Sequence, residues 1–150
     1  MLEDLWNSEG LKAVEKYRQS FIDGDRYATG KTNKSVAYEV KKEGNQSITL
    51  TVYGRKDISD LEEGVSPEEY ASNPASFSDL DQWIKARGLN RTAESIDEGL
   101  RRNGWVSGNG PKGGTPNIIT TPTNEILKSI SDKVTAISKE LVAKQIVVTV

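Results

Sequence analysis

Ser35-Val36-Ala37-Tyr38-Glu39-Val40-Lys41-Lys42-Glu43-Gly44-Asn45-Gln46-Ser47-Ile48-Thr49-Leu50-Thr51-Val52-Tyr53 is the stretch that decides the fold class. Its second half alternates cleanly, with Ile48, Leu50 and Val52 set against Thr49, Thr51 and Tyr53. A period of two places those sets on opposite faces of a strand. From Ser35 to Val40 the alternation is looser, and Lys41 to Gln46 supplies polar turn chemistry with a glycine. The expectation is an antiparallel hairpin whose covered face carries Ile48, Leu50 and Val52.

Helical patterns surround that hairpin. From about Glu9 to Ile22, Leu11, Val14, Tyr17 or Arg18, Phe21 and Ile22 recur at helical spacing, and Gly24 stands where a C-cap belongs. A basic connector, Asp25 to Lys34, leads into the hairpin. Beyond it, Asp57 to Asp81 holds eight acids and no base, with Pro67 and Pro74. That composition predicts an acidic surface loop over about 56–77, with at most a helical turn at Pro67-Glu68-Glu69-Tyr70. Ser78 is then a candidate cap for a helix carrying Leu80, Trp83 and Ile84 and ending at Gly88. Thr92 caps another, with Ala93, Ile96 and Leu100 inward and Gly104 near its end. A Gly/Pro-rich loop covers about 106–117. The last helix has Ile126, Ile130, Val134, Ile137 and Leu141 in a stripe, with Thr121 or Thr123 as cap and Pro122 near its first position. From about Pro122 to Lys144 it would be about 35 Å long. Ile146 to Val150 reads as a terminal strand able to join the hairpin. The sum is a single domain over 1–150 of α+β class. It comprises a small antiparallel sheet, a long C-terminal helix packed across it and short accessory helices.

Composition narrows the chemistry. The 150 residues fit one domain, with 20 basic and 22 acidic side chains and a net charge of −2. That balance gives no overall field to draw in nucleic acid or an anionic membrane. The chain has no cysteine and no histidine. Disulfides, thiolate nucleophiles, imidazole metal sites and Ser-His-Asp triads are therefore excluded. The expectation is no catalytic residue, no cofactor and no metal. The start, MLEDLWNSEG, has acids where a signal peptide has bases, and no apolar run approaches a membrane span. A soluble protein made in a cytoplasm is expected.

Three motifs invite chemistry and fall short of it. Gly24 to Thr32 ends in Gly-Lys-Thr, but five residues separate its glycines where a P-loop has four, and a helix precedes it where a P-loop has a strand. Asp57, Asp60 and Glu62 offer hard ligands without the spacing of an EF-hand. A glycosidase pair would need one of these carboxyls buried between aromatic walls, and only Tyr70, Phe77 and Trp83 lie near in sequence. The charge distribution is more telling. Leu11 to Gly44 carries eight bases against five acids, whereas the middle of the chain is strongly acidic. Such asymmetry suits identical subunits meeting head to tail, and equally an ordinary solvated surface.

The order of segments resembles the neck and tail-completion proteins of tailed bacteriophages. Tyr27-Ala28-Thr29-Gly30-Lys31-Thr32 with Ser35-Val36 is similar to that family's "TGK…S" lead into its first strand. Tyr53-Gly54-Arg55-Lys56 resembles its Gly-Arg turn. Leu80 to Gly88 resembles its short "W…KG" helix, and Ala93 to Gly104 the helix after it. The match spans about residues 10 to 145, in short pieces whose order carries the weight. The acidic stretch between Arg55 and Leu80 departs from it, since the family has a short proline-containing link there. The resemblance implies a non-enzymatic virion protein made in the host bacterial cytoplasm. It would form a homo-oligomeric ring of six or twelve copies at the head–tail junction, against portal, neck or tail proteins, with DNA passing through without sequence-specific binding and no membrane partner. It places Gly54 and Arg55 near a subunit contact. Asp60, Glu62 and Glu63 of the acidic stretch, and Lys112 of the Gly/Pro-rich loop, are the other candidate contacts. The competing readings are a small cytoplasmic binding or chaperone-like protein and a carboxylate-dependent hydrolase.

Overall fold

The structure is a computed structural model that describes residues 2–25, 30–44, 47–55, 58–105 and 114–146. Within it the hairpin forms as the alternation predicts. β1 (Ala37–Glu43) pairs antiparallel with β2 (Ser47–Tyr53), in a register that sets Tyr38 opposite Val52, Val40 opposite Leu50 and Lys42 opposite Ile48. Ile48, Leu50 and Val52 are half-buried while Thr49, Thr51 and Tyr53 are exposed. Ser35 and Val36 lie before the strand. Ser35 closes a short helix, α2 (Lys31–Ser35), in the segment expected to be a connector.

A two-stranded sheet needs a partner element to be stable. That partner is α1 (Leu2–Asp23), a helix of 22 residues that lies against both strands. It begins well before the expected Glu9. Gly10 sits in its middle because a Cβ there would stand 2.2 Å from the Tyr38 ring. A glycine costs up to about 1 kcal/mol in a helix, and here it permits close helix–sheet approach. α7 (Thr120–Ile146) is the long C-terminal helix, 27 residues, and it packs on α1. The α+β class, the small antiparallel sheet and the long last helix are all present. The helix laid against the strands, however, is chiefly α1, with α7 beside it. Ile146, assigned from sequence to a terminal strand, is the last residue of α7, and Val147 to Val150 lie outside the described residues.

The acidic stretch is only partly a loop, and the helical turn expected at Pro67 to Tyr70 is present and longer than expected. It folds into α3 (Asp60–Glu63) and α4 (Pro67–Ser72). Ser66 caps α4 in a reciprocal box with Glu69, and Pro67 occupies the first turn, where a missing N–H costs nothing. Leu61 and Tyr70 are buried in this segment. Acid-rich composition hid two apolar anchors. α5 (Phe77–Arg87) is capped by Ser76 rather than Ser78, the Ser76 hydroxyl accepting from Asp79 N, and Gly88 closes it in the left-handed region. α6 (Ala93–Asn103) starts at Thr92 and ends at Gly104, as the sequence predicts.

Two apolar clusters result. Val14, Phe21, Val36, Leu61 and Ile118 form the main one, where α1, the lead into β1, α3 and the lead into α7 converge. Leu80, Ile84 and Ala93 form a smaller one between α5 and α6.

Candidate functional site

The Gly54-Arg55 turn sits at the base of the hairpin. Arg55 N donates to Ser35 Oγ at 3.1 Å, and Ser35 Oγ donates to Thr32 O at 2.7 Å, so β2 is tied back to α2. A Cβ on Gly54 would stand 2.8 Å from the Ile58 side chain. Both residues are exposed. Close by, Lys31 reaches Asp79 at 2.8 Å and joins α2 to the start of α5. The Lys31 hydrogen bond, then Ser76 and the positive charge of Lys31 and Arg55, hold the Asp79 carboxyl below its ordinary range. This bridge between hairpin base and helical layer was not read from the sequence, because its partners are 48 residues apart.

The three acidic candidates separate. Glu63 is exposed and Asp60 half-buried. Glu62 is half-buried and bonded within its own chain: its Oε2 accepts from Ile119 N and Thr120 N, both at 2.7 Å, and its Oε1 accepts from the Thr120 hydroxyl. It therefore caps α7, a role the sequence reading gave to Thr121 or Thr123. Burial pushes its pKa up, but the Thr120 hydroxyl and the two amides outweigh that and lower it. A carboxylate at a helix N-terminus satisfies orphan donors and meets the positive end of the dipole. Glu62→Ala is expected to lower stability by about 1–2 kcal/mol. A urea titration followed by circular dichroism would read it, and an unchanged midpoint would remove Glu62 from this role. Lys112, with most of the Gly/Pro-rich loop, lies outside the described residues.

The ends of that loop are pinned to the same segment as Glu62. Trp105 N donates to Val65 O at 2.9 Å, and Thr115 N donates to Leu61 O at 2.8 Å. Gly104 and Gly114 allow the approach, since a Cβ would meet Val65 O at 2.4 Å and Glu62 O at 2.1 Å respectively. The departure from the phage pattern, read as an insertion, is thus the seat on which the chain entering and leaving residues 106–113 rests.

Charge divides by layer. Over the described residues 30–55 there are five bases against two acids, a balance of +3. Over 58–105 there are ten acids against five bases, a balance of −5. Among the described residues no group of three His, Cys, Asp or Glu side chains is placed to hold a metal ion. Nor is any helix there long and apolar enough to cross a membrane. The Gly24–Thr32 motif is divided: Gly30 takes a left-handed conformation and opens the five-residue α2, which runs into β1, while 26–29 lie outside the described residues.

Family models, curated proteins and solved structures offer no match to this chain. Any functional reading therefore rests on its own residues and on the resemblance of its segments.

Proposed function

We propose that the chain is a structural subunit of a tailed bacteriophage, assembling as a ring of six or twelve copies at the head–tail junction around the DNA channel. In this reading it carries out no reaction. It is made in the host cytoplasm, ends in the virion and contacts portal, neck or tail proteins. The observation that carries the reading is where the family-like segments fall. The Gly-Lys-Thr lead ends in α2 directly before β1, and Gly54-Arg55 directly follows β2. The Trp83 segment is a capped helix ending at Gly88, the next helix ends at Gly104, and a long helix closes the order. The absence of histidine and cysteine from the sequence agrees with a protein that does no chemistry.

Opposite charge on two layers of one subunit supports association of unlike surfaces, which generates rings when the rotation closes. Light scattering across a concentration series, with negative-stain imaging of the large species, tests the proposal. The expected result is a mass of six or twelve subunits and annular particles. A strict monomer at every concentration, alone and with portal or tail partners added, would overturn it.

A further inference from the structure

We infer that neighbouring copies are joined by strand addition, residues 147–150 of one copy pairing as a third strand along the open edge of β2 in the next. This rests on the ring reading and names the contact that closes it.

β1 and β2 make a sheet of two strands, and among the described residues no third strand pairs with either. A strand with one side unpaired turns a row of N–H and C=O groups outward, a template for another chain. The two edges differ in how they are defended. β1 carries Glu39, Lys41, Lys42 and Glu43, and charge is what blunts an edge. β2 reads Ser-Ile-Thr-Leu-Thr-Val-Tyr, with no charge and no proline, so it lacks those defences. Ile48, Leu50 and Val52 are half-buried on one of its faces, and Thr49 and Thr51 are exposed on the other.

The sequence after α7 is the complement. Val147-Val148-Thr149-Val150 is an uncharged run of β-branched residues, which fit a pleated strand better than a helix. Its period also suits β2. Val148 and Val150 share one face, matching Leu50 and Val52, and Thr149 falls on the other, matching Thr49 and Thr51. Geometry sends this run to a neighbour. Arg18 donates to Val36 O at 3.1 Å at the base of the hairpin, and Gly10 lies under the Tyr38 ring, so the strands run back toward the start of α1. From Ala37 to Glu43 they cover about 20 Å, and from Arg18 to Leu2 the helix covers about 24 Å, so the hairpin tip stops near the first turn of α1. α7 runs antiparallel to α1, joining Tyr17 to Thr123 and Glu9 to Lys133. From Lys133 to Ile146 it rises about 20 Å, whereas Glu9 to Leu2 spans about 10 Å, which carries its end about 9 Å past α1. Residue 147 therefore starts beyond its own hairpin and heads away from it. Residues 144–150 include no glycine, proline or asparagine to reverse the chain. A tail and a sheet edge are unlike surfaces of identical subunits, so their pairing is head to tail, the geometry a ring requires.

The chain has no cysteine, so introduced pairs report the contact directly. Adjacent strands bring same-face Cβ atoms to about 4.5–5.5 Å, close to disulfide reach. Thr149→Cys is mixed with Thr49→Cys, with Thr51→Cys or with Glu39→Cys, one partner tagged so that mixed dimers differ in size, and each mixture is oxidised. Thr49→Cys or Thr51→Cys is expected to give a mixed covalent dimer. Glu39→Cys is not, because Glu39 lies one strand further from the added one. Combined with Thr149→Cys in a single chain, the reactive position is expected to give a ladder of covalent multimers. Val148→Pro removes a strand N–H and is expected to need at least a ten-fold higher concentration to assemble, with its circular dichroism unchanged. A monomer closed by an internal disulfide overturns the inference, because the tail then pairs with its own hairpin. So does a mixed dimer through Glu39→Cys, the absence of one through both threonine positions, or a Val148→Pro chain that assembles as well as the natural one. Each of these leaves the ring reading standing if the natural chain assembles, and a natural chain that never assembles overturns both.

Discussion

Glu9→Ala is expected to lower the stability of the chain by roughly 3 kcal/mol, because it removes the carboxylate that joins α1 to α7 inside the protein. Glu9 is 3% exposed, yet it is charged. It accepts from Lys12 Nζ at 3.0 Å, from Ser129 Oγ at 3.0 Å and from Lys133 Nζ. Around it, Leu5 and Trp6 of α1 and Ile130 and Val134 of α7 line the same small space as Glu9 and Lys133. Tyr17 and Thr123 share a hydroxyl hydrogen bond of 2.6 Å, and Ser20 donates to Ile118 O at 2.6 Å. Losing the carboxylate leaves Lys133 partly buried without its counter-charge. Burial raises the Glu9 pKa, but hydrogen bonds from Lys133, Lys12 and Ser129 outweigh it and set the value at about 2, against an ordinary 4.5. A depressed carboxyl stabilises the fold above its unfolded value and loses that contribution as pH falls through its folded value. Stability should therefore decline between about pH 4.5 and pH 2, and the Glu9→Gln variant should lack much of that decline. Urea midpoints measured down that pH range decide it. Parallel curves for the natural chain and the variant would show that Glu9 is not the group responsible.

The same carboxylate illustrates what a sequence conceals. Glu9 was read only as the start of a helical pattern, since a glutamate in a polar segment looks solvated. Its burial depends on Ser129 and Lys133, 120 and 124 residues further on. Glu62 was hidden in the same way: one acid among eight, it is turned inward by the backbone amides of a helix 57 and 58 residues away. Local signals were more legible. The hairpin's covered face follows from alternation in Ile48 to Tyr53, and Thr92, Gly88 and Gly104 mark helix ends because capping is a matter of neighbouring residues. Ser78, expected as the cap, sits two residues past the true one, because both serines precede the same apolar stripe; the Ser76 hydroxyl reaches Asp79 N at 3.1 Å. Of the candidate contact residues, Gly54, Arg55 and Glu63 lie at the surface, and Asp60 is half-buried.

Phe21→Ala is expected to cost about 3–5 kcal/mol, the range for truncating a fully buried aromatic. Phe21 has no exposed surface and belongs to the cluster of Val14, Val36, Leu61 and Ile118. Those residues come from α1, the lead into β1, α3 and the segment before α7, so the cavity would open where four separate parts of the chain meet. Neighbours fixed by so many independent segments cannot collapse easily, which places the cost toward the upper end. Leu80→Ala provides the comparison. Leu80 is also buried, but its cluster with Ile84 and Ala93 draws on α5 and α6 alone. Its loss should be smaller, about 2–3 kcal/mol. Domains of this size have about 5–15 kcal/mol in total, so the Phe21 variant should lose a large share of it and unfold cooperatively at much lower urea. Hydrogen exchange separates the two variants. Phe21→Ala should raise exchange in α1, the hairpin and the start of α7 together, while Leu80→Ala should raise it mainly in α5 and α6. If Phe21→Ala shifted the urea midpoint no more than truncation of Leu11, which is 62% exposed, the cluster around Phe21 would not be the core of this fold.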